Sequence, residues 1–318
     1  MKGVSDKTKA AICLTFCVVS WASAFVGIRI GLKGYSPGSV ALLRYLIASM
    51  GMLFLYLFFS KRDKPALKDM PLIFFTGVVG FGIYNIALNY GEITVSSGIT
   101  GFIISQMPVI VTLLAPLLLK EKIAKSAWVG LGVSVVGVGL IAIAHRGDGS
   151  GSSLQGNLDL GIWYLIIAVF CGAIYAVCNK ILTPKYHPIE LTAYTMWSGT
   201  FILLFYTPTL WTEVKTVSMS ATLACVYLGA FPGFIGYLAW SYALRYMPAS
   251  RASNYLFLMP LVATGLGWLL LGEVPKLLAL CGGVVALVGA IIATQYKGKG
   301  YKKTQDMNYI LNRQAPHE

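Results

Sequence analysis

Residues 87–121 read ALNYGEITVSSGITGFIISQMPVIVTLLAPLLLKE, and residues 239–273 read AWSYALRYMPASRASNYLFLMPLVATGLGWLLLGE. Set 152 positions apart, the two stretches align Ala87 with Ala239, Tyr90 with Tyr242, Pro108 with Pro260, and Glu121 with Glu273. Leu118 and Leu119 fall on Leu270 and Leu271. The same offset aligns Gly77 with Gly229, Ile83 with Ile235, Gly130 with Gly282, Val133 with Val285 and Gly137 with Gly289, and one position less aligns Pro37 with Pro188. The chain therefore reads as two copies of one unit.

Composition sets the solvent. Hydrophobic residues make up 57% of the chain, charged ones 12%, and the mean hydropathy is +0.71. Soluble domains carry about 25% charged residues, so this composition points to lipid. A bilayer-crossing helix needs about 20 apolar residues, and such stretches occur at about 8–31, 38–59, 70–90, 95–119, 126–144, 158–181, 189–211, 219–243, 250–271 and 276–295. All six cysteines lie inside these stretches and no CxxC occurs, so neither a disulfide framework nor a metal site is expected. The first stretch follows Lys2, Lys7 and Lys9, but it is too long for the core of a secretory signal and reads as a retained anchor.

The basic residues set an orientation. Lys2, Lys7, Lys9, the loop Lys61–Arg62–Lys64–Lys68, Lys120, Lys122, Lys125, Lys180, Lys185, Arg245, Arg251 and the tail from Lys297 all fall on one side. Arg29, Lys33, Arg146, Lys215 and Lys276 fall on the other. The expected location of this multi-pass chain is the cell inner (plasma) membrane, and the positive-inside rule then makes both of its termini cytoplasmic. It also accounts for the net charge of +13 without a nucleic-acid partner.

Five spans per unit is an odd number, so the second unit enters the membrane inverted. Folds of this kind hold a substrate near the midplane and alternate access by rocking one half against the other. The expected class is all-α integral membrane, with ten transmembrane helices as two inverted five-helix repeats. Four motifs then carry a family resemblance: SWASAF (20–25), ALLRYL (41–46), the Pro-centred span ending LLLKEK (117–122), and MPLVATGLGWLLLGE (259–273). In that order, with the repeat, the chain resembles EamA-type members of the drug/metabolite transporter superfamily over about residues 8–295. The resemblance implies a basket of helices around a central cavity, with spans 5 and 10 packed at its back. It divides the chain into a first EamA repeat (1–146), a Gly/Ser-rich linker (147–157), a second repeat (158–296) and a polar cytoplasmic tail (297–318). It does not choose among amino acids, sugars, nucleotides and drugs.

Among residues inside spans, Arg44 stands out, because a charge at depth costs at least ~2.5 kcal/mol. It is expected to meet substrate, a partner, or the outer headgroups by snorkelling, since no carboxylate lies deep in a span to pair with it. Asn85 and Asn89 are four apart and share a helical face. Gln106 precedes Pro108 by two residues and Asn254 precedes Pro260 by six. Trp21, Tyr90, Trp240 and Tyr242 offer aromatic faces to a ligand. Trp21, Arg44, Asn85, Asn89, Tyr90, Gln106, Trp240, Tyr242 and Asn254 are the expected substrate-binding residues. Pro108 and Pro260, read as mid-helix, leave the carbonyls of Ile104 and Leu256 without their usual donors and are expected hinges. For the amides the competing role is gluing helices together. Trp128, Trp163, Tyr164 and Trp211 read as interface anchors. Gly130 and Gly137, with Gly282 and Gly289, read as close helix packing.

The acids sit at span ends or in loops, and Glu92 reads as a solvated loop charge; among them it is the best candidate for proton exchange. This inventory favours a facilitator or weakly coupled exchanger. The expected function is a secondary transporter exporting small metabolites, amino acids first. A drug, nucleotide or sugar transporter of the same fold is the alternative, as is a non-transporting membrane sensor. An intramembrane enzyme would need His, Asp or Glu at depth, so no catalytic residue, metal or cofactor is expected. The expected partners are a small-molecule substrate and membrane lipid, with a second copy of the chain as a candidate homodimer partner.

Overall fold

The computed structural model describes residues 6–59, 65–119, 125–146, 154–246 and 255–295. Within them the regular structure is helical, and no strand occurs among the described residues. Asn254 lies outside them, as do linker residues 147–153 and the tail; residues 154–157 open a helix.

The chain runs α1 (Asp6–Gly31), α2 (Pro37–Phe59), α3 (Met70–Gly77), a π-helical segment (Val78–Ile83) and α4 (Tyr84–Gly91). It continues with α5 (Ser97–Ile104), α6 (Met107–Leu119), α7 (Lys125–Arg146), α8 (Leu154–Leu182) and α9 (Pro188–Leu203). A 3₁₀ turn (Leu204–Tyr206) leads to α10 (Thr207–Glu213), then α11 (Met219–Leu228), a second π segment (Gly229–Ile235) and α12 (Gly236–Tyr246). A 3₁₀ turn (Leu256–Leu258), α13 (Met259–Leu271) and α14 (Leu277–Gln295) end it. Thr8–Gly31, Pro37–Phe58, Met70–Gly91, Leu160–Leu182 and Met219–Trp240 are long and apolar enough to cross a membrane. The remaining apolar helices, Ser97–Val111, Trp128–Ala144, Leu256–Leu271 and Leu277–Ala293, are shorter.

Local chemistry explains the breaks. Proline in the first helical turn loses nothing, because its missing N–H would be unpaired there anyway. Pro71, Pro208 and Pro260 occupy such positions, and so does Pro108, the second residue of α6. The expectation that Pro108 and Pro260 lie mid-helix is therefore corrected: each opens the second piece of an already broken segment. Pro232 does lie within a helical run and cannot donate to the Leu228 carbonyl, so the run widens into a π segment there. The segment at 78–83 recurs close to the same repeat offset without a proline. Gly80 lets it approach, since a Cβ there would run into the Tyr175 ring, 2.6 Å from Cγ.

α1 runs antiparallel to α11 and α7 to α14, whereas α3 runs parallel to α9 and α2 parallel to the second π segment. Gly27 lies against Leu228, Gly31 against Cys225 and Gly34 against Ala221, which joins α1 to α11 end to end. Gly130 meets the backbone at Gly289 and Ala293, and Gly137 meets it at Gly282 and Ala286, while Ser134 Oγ donates to the Ala286 carbonyl at 3.2 Å. The packing expected of these glycines is what the α7–α14 contact uses. Gly77 seats on Thr195 and Ser198, and its repeat partner Gly229 seats on Arg44 and Ile47. Between those two contacts, Ser49 and Thr200 share a hydroxyl hydrogen bond of 2.8 Å.

Candidate functional site

The buried polar centre is built on α2 and α4. Arg44, on α2, is 6% exposed. Its Nη1 donates to Asn85 Oδ1 at 3.2 Å, and its guanidinium lies 5.3 Å from the Tyr45 ring centroid. Asn85 Nδ2 in turn donates to Tyr45 Oη and to the Phe81 carbonyl, both at 3.0 Å. Arg44 thus neither snorkels nor pairs with an acid here. A neutral amide holds the guanidinium, so its positive charge is left uncompensated at this contact, and Nε has no hydrogen-bond partner among the described residues.

Aromatic rings extend from this centre. Phe81 packs edge-on against Tyr45 and Tyr175, with ring centroids 5.3 Å apart in each pair, and lies 5.4 Å from Tyr237. Tyr237 lies 5.5 Å from Trp21, and Trp21 lies 5.5 Å from Trp240. Trp21 Nε1 donates at 3.0 Å to the Pro232 carbonyl, inside the second π segment. Each π segment thus contributes to this wall: Phe81 belongs to the first, and the second anchors Trp21. π segments recur at functional sites because they re-aim side chains and free backbone groups.

Of the expected binding residues, Trp21, Arg44, Asn85 and Trp240 are joined by this network. Asn89 shares the buried face of Asn85, donating from Nδ2 to the Pro37 carbonyl at 2.9 Å; its Oδ1 has no hydrogen-bond partner among the described residues. Gln106 is buried at the α5–α6 break but bonds locally, to the Phe102 carbonyl (3.2 Å) and Ser105 Oγ (3.3 Å). Tyr90 stands apart from the tryptophans, stacked on Tyr164 at 5.2 Å, so Tyr164 packs inward rather than serving only as an interface anchor. Trp128, Trp163 and Trp211 are exposed. Tyr242 lines a surface pocket of ≈ 330 Å³ with Lys9, Ile12 and Cys13. Sequence reading passed over Tyr45 and Phe81, which looked like ordinary apolar residues of a span; only their spacing from Arg44 and Asn85, one and four residues, hinted at a role.

Two charged clusters flank the centre. At the α4 C-terminus, Arg29 Nη1 donates to the carbonyls of Glu92 (2.6 Å) and Ile93 (3.3 Å), and Arg29 Nε pairs with Glu273 Oε1 at 3.0 Å. Glu273 Oε2 accepts from Ser97 N–H (2.9 Å) and Ser97 Oγ (2.6 Å). Gly272, at φ 68°, turns the chain so that Glu273 reaches them. Nearby, the Glu213 carboxylate accepts from the Ser36 backbone N–H at 3.2 Å. Glu92 itself is 0% exposed, which corrects its reading as a solvated charge. At the opposite end of the α3–α4 run, Asp69 accepts from Lys185 Nζ and Tyr186 Oη, each at 2.8 Å.

Apolar helices of membrane length around a buried cation and a ring of aromatics define an integral membrane protein with an internal polar core. The sequence profile of the EamA-like transporter family matches residues 8–143 and 159–295, and the chain belongs to that family. It is 40% identical over 291 residues to an uncharacterized transporter, YdfC, of Bacillus subtilis (strain 168), covering 92% of this chain and 90% of that one. It is 32% identical over 285 residues to a probable terminal-alkyne amino-acid exporter of Streptantibioticus cattleyicolor, covering 90% and 93%. The fold is similar to that of a crystal structure at TM-score 0.60 and 14% identity, covering 91% of this chain and 98% of that one.

Proposed function

We propose that this protein is a secondary transporter of the inner membrane that exports small metabolites, amino acids first, by alternating access. The observation that carries the reading is the Arg44–Asn85 pair set against the aromatic wall. An arginine held by an amide keeps its charge available, and a guanidinium binds a carboxylate in a planar, bidentate fork. The rings offer apolar surface to a side chain. The relative described as a probable terminal-alkyne amino-acid exporter supports the same substrate class.

Two halves of five helices each, inverted in the membrane, provide the moving parts. Gly130 and Gly282 are repeat partners, as are Gly137 and Gly289. In the antiparallel α7–α14 contact, Gly130 meets Gly289 and Gly137 meets Gly282. That exchange is what a two-fold axis lying in the membrane plane produces. The recurrence of the π segments and of the Gly77 and Gly229 contacts supports the same symmetry. In this reading the breaks at Pro108 and Pro260 are the hinges, and both termini are cytoplasmic.

The test is flux in proteoliposomes offered labelled amino acids, nucleosides and cationic drugs. Amino-acid flux is expected, and Arg44→Ala should weaken apparent affinity about ten- to a hundredfold, since a charge-assisted hydrogen bond is worth about 1.5–3 kcal/mol. Movement of cationic drugs alone, unaffected by Arg44→Ala, would sink the amino-acid reading.

A further inference from the structure

Glu92 is a buried carboxyl whose neighbouring cation, Arg29, is paired with another acid. Neither oxygen has a hydrogen-bond partner among the described residues, and the residue is 0% exposed. The cation beside it is already committed: Arg29 gives Nε to Glu273 and Nη1 to main-chain carbonyls. Glu273 is in turn held by Ser97 at the start of α5. The charged groups facing Glu92 are Arg29 from α1, Arg44 from α2 and Glu273 after α13. On its own helix lies Tyr84, and α8 presents Tyr164 against Tyr90. Burial pushes the Glu92 carboxyl well above the usual range; Arg29 opposes that and Glu273 adds to it. An ionised carboxylate buried without a partner costs several kcal/mol, and such a group takes up a proton instead.

We propose that Glu92 is the proton-carrying residue of the transport cycle, protonated in this closed arrangement and ionised when the Arg29–Glu273 contact opens. The proposal rests on the transporter reading above and replaces the uncoupled mechanism that the acid inventory favoured. A proton arriving from the expected outer side neutralises Glu92, leaves Arg29 to Glu273, and closes that end. Loss of the proton to cavity water on the cytoplasmic side restores the carboxylate. It then competes with Glu273 for Arg29, and the end loosens to release substrate. One proton enters for each substrate that leaves.

The first measurement needs no substrate. Infrared difference spectra of the purified chain in lipid nanodiscs should show a protonated-carboxyl C=O band near neutral pH that Glu92→Gln lacks. The second uses proteoliposomes and tritiated L-amino acids. At one proton per substrate, a one-unit pH gradient should drive about tenfold accumulation in the wild type. Glu92→Gln should lose that accumulation, and its remaining exchange should become insensitive to pH. Glu92→Asp, which keeps the carboxyl, should retain coupling. Absence of the band, or gradient-driven accumulation that survives in Glu92→Gln, overturns the proposal while transport stands. Failure of the wild type to move any amino acid overturns the amino-acid transport reading on which it rests, and the proposal with it.

Discussion

Asp69 shows what one well-paired carboxylate does in this protein. Its hydrogen bond to Lys185 holds its carboxyl below the usual carboxylate range, with Tyr186 adding to the effect. A lowered folded-state value means that the pair stabilises the fold above the unfolded value of about 3.9 and that this stability disappears as pH falls through the lower, folded one. Asp69→Asn should therefore lower the melting temperature at pH 7 and lower it by less as pH falls below the unfolded value of about 3.9, as thermal unfolding in detergent at pH 7 and pH 3 would show. A deficit of equal size at both would mean that packing, rather than charge, is what Asp69 supplies. Other single residues were legible to different degrees. Arg44 was visible because a cation inside an apolar run has few places to go, yet its partner was not, because Asn85 is 41 positions away. Glu92 was misread for a related reason. Its position just after an apolar stretch looks solvated, and only the arrival of α1 and of the chain after α13 buries it.

At the scale of elements, glycines decide how closely helices approach. A Cβ at Gly137 would run into the backbone of Ala286, whereas Gly132 and Gly139, on the same helix, have nothing within 4 Å. Gly137→Ala should cost about 1–3 kcal/mol as an overpacked contact. Gly139→Ala should be neutral or stabilising by up to about 1 kcal/mol, since alanine is the better helix former. Thermal unfolding of the two variants side by side measures the difference, and equal melting points would mean that the α7–α14 contact relaxes freely. The spacing of Gly130 and Gly137 on one helical face was readable in advance, as was its echo at Gly282 and Gly289. The helix breaks were less so. Pro108 and Pro260 flagged two of them, but the π segment at Val78–Ile83 contains no proline and had no one-dimensional signal beyond its glycines.

For the whole molecule, orientation is the open test. With the native cysteines replaced, cysteines introduced at Lys33 and Lys215 should react with an impermeant maleimide added to intact cells, and one at Lys68 should not. The reverse pattern would invert the topology and place Glu92 on the cytoplasmic side. What the sequence determined by itself follows from short-range and additive quantities. Twenty-residue apolar runs separated by polar turns specify membrane helices, the charge bias of the loops gives only an expected orientation, and self-similarity at a fixed offset specifies two related halves. The tertiary structure decided which side chains meet. Trp21, Phe81 and Tyr237 come from three separate parts of the chain, and their rings touch only because α1, the first π segment and α12 pack together. Arg29, Glu92 and Glu273 form a cluster only where three helix C-termini converge. Hydropathy and loop charge depend on composition along the chain, whereas a buried ion pair or an unpaired carboxyl depends on distances of a few ångströms between residues far apart in it.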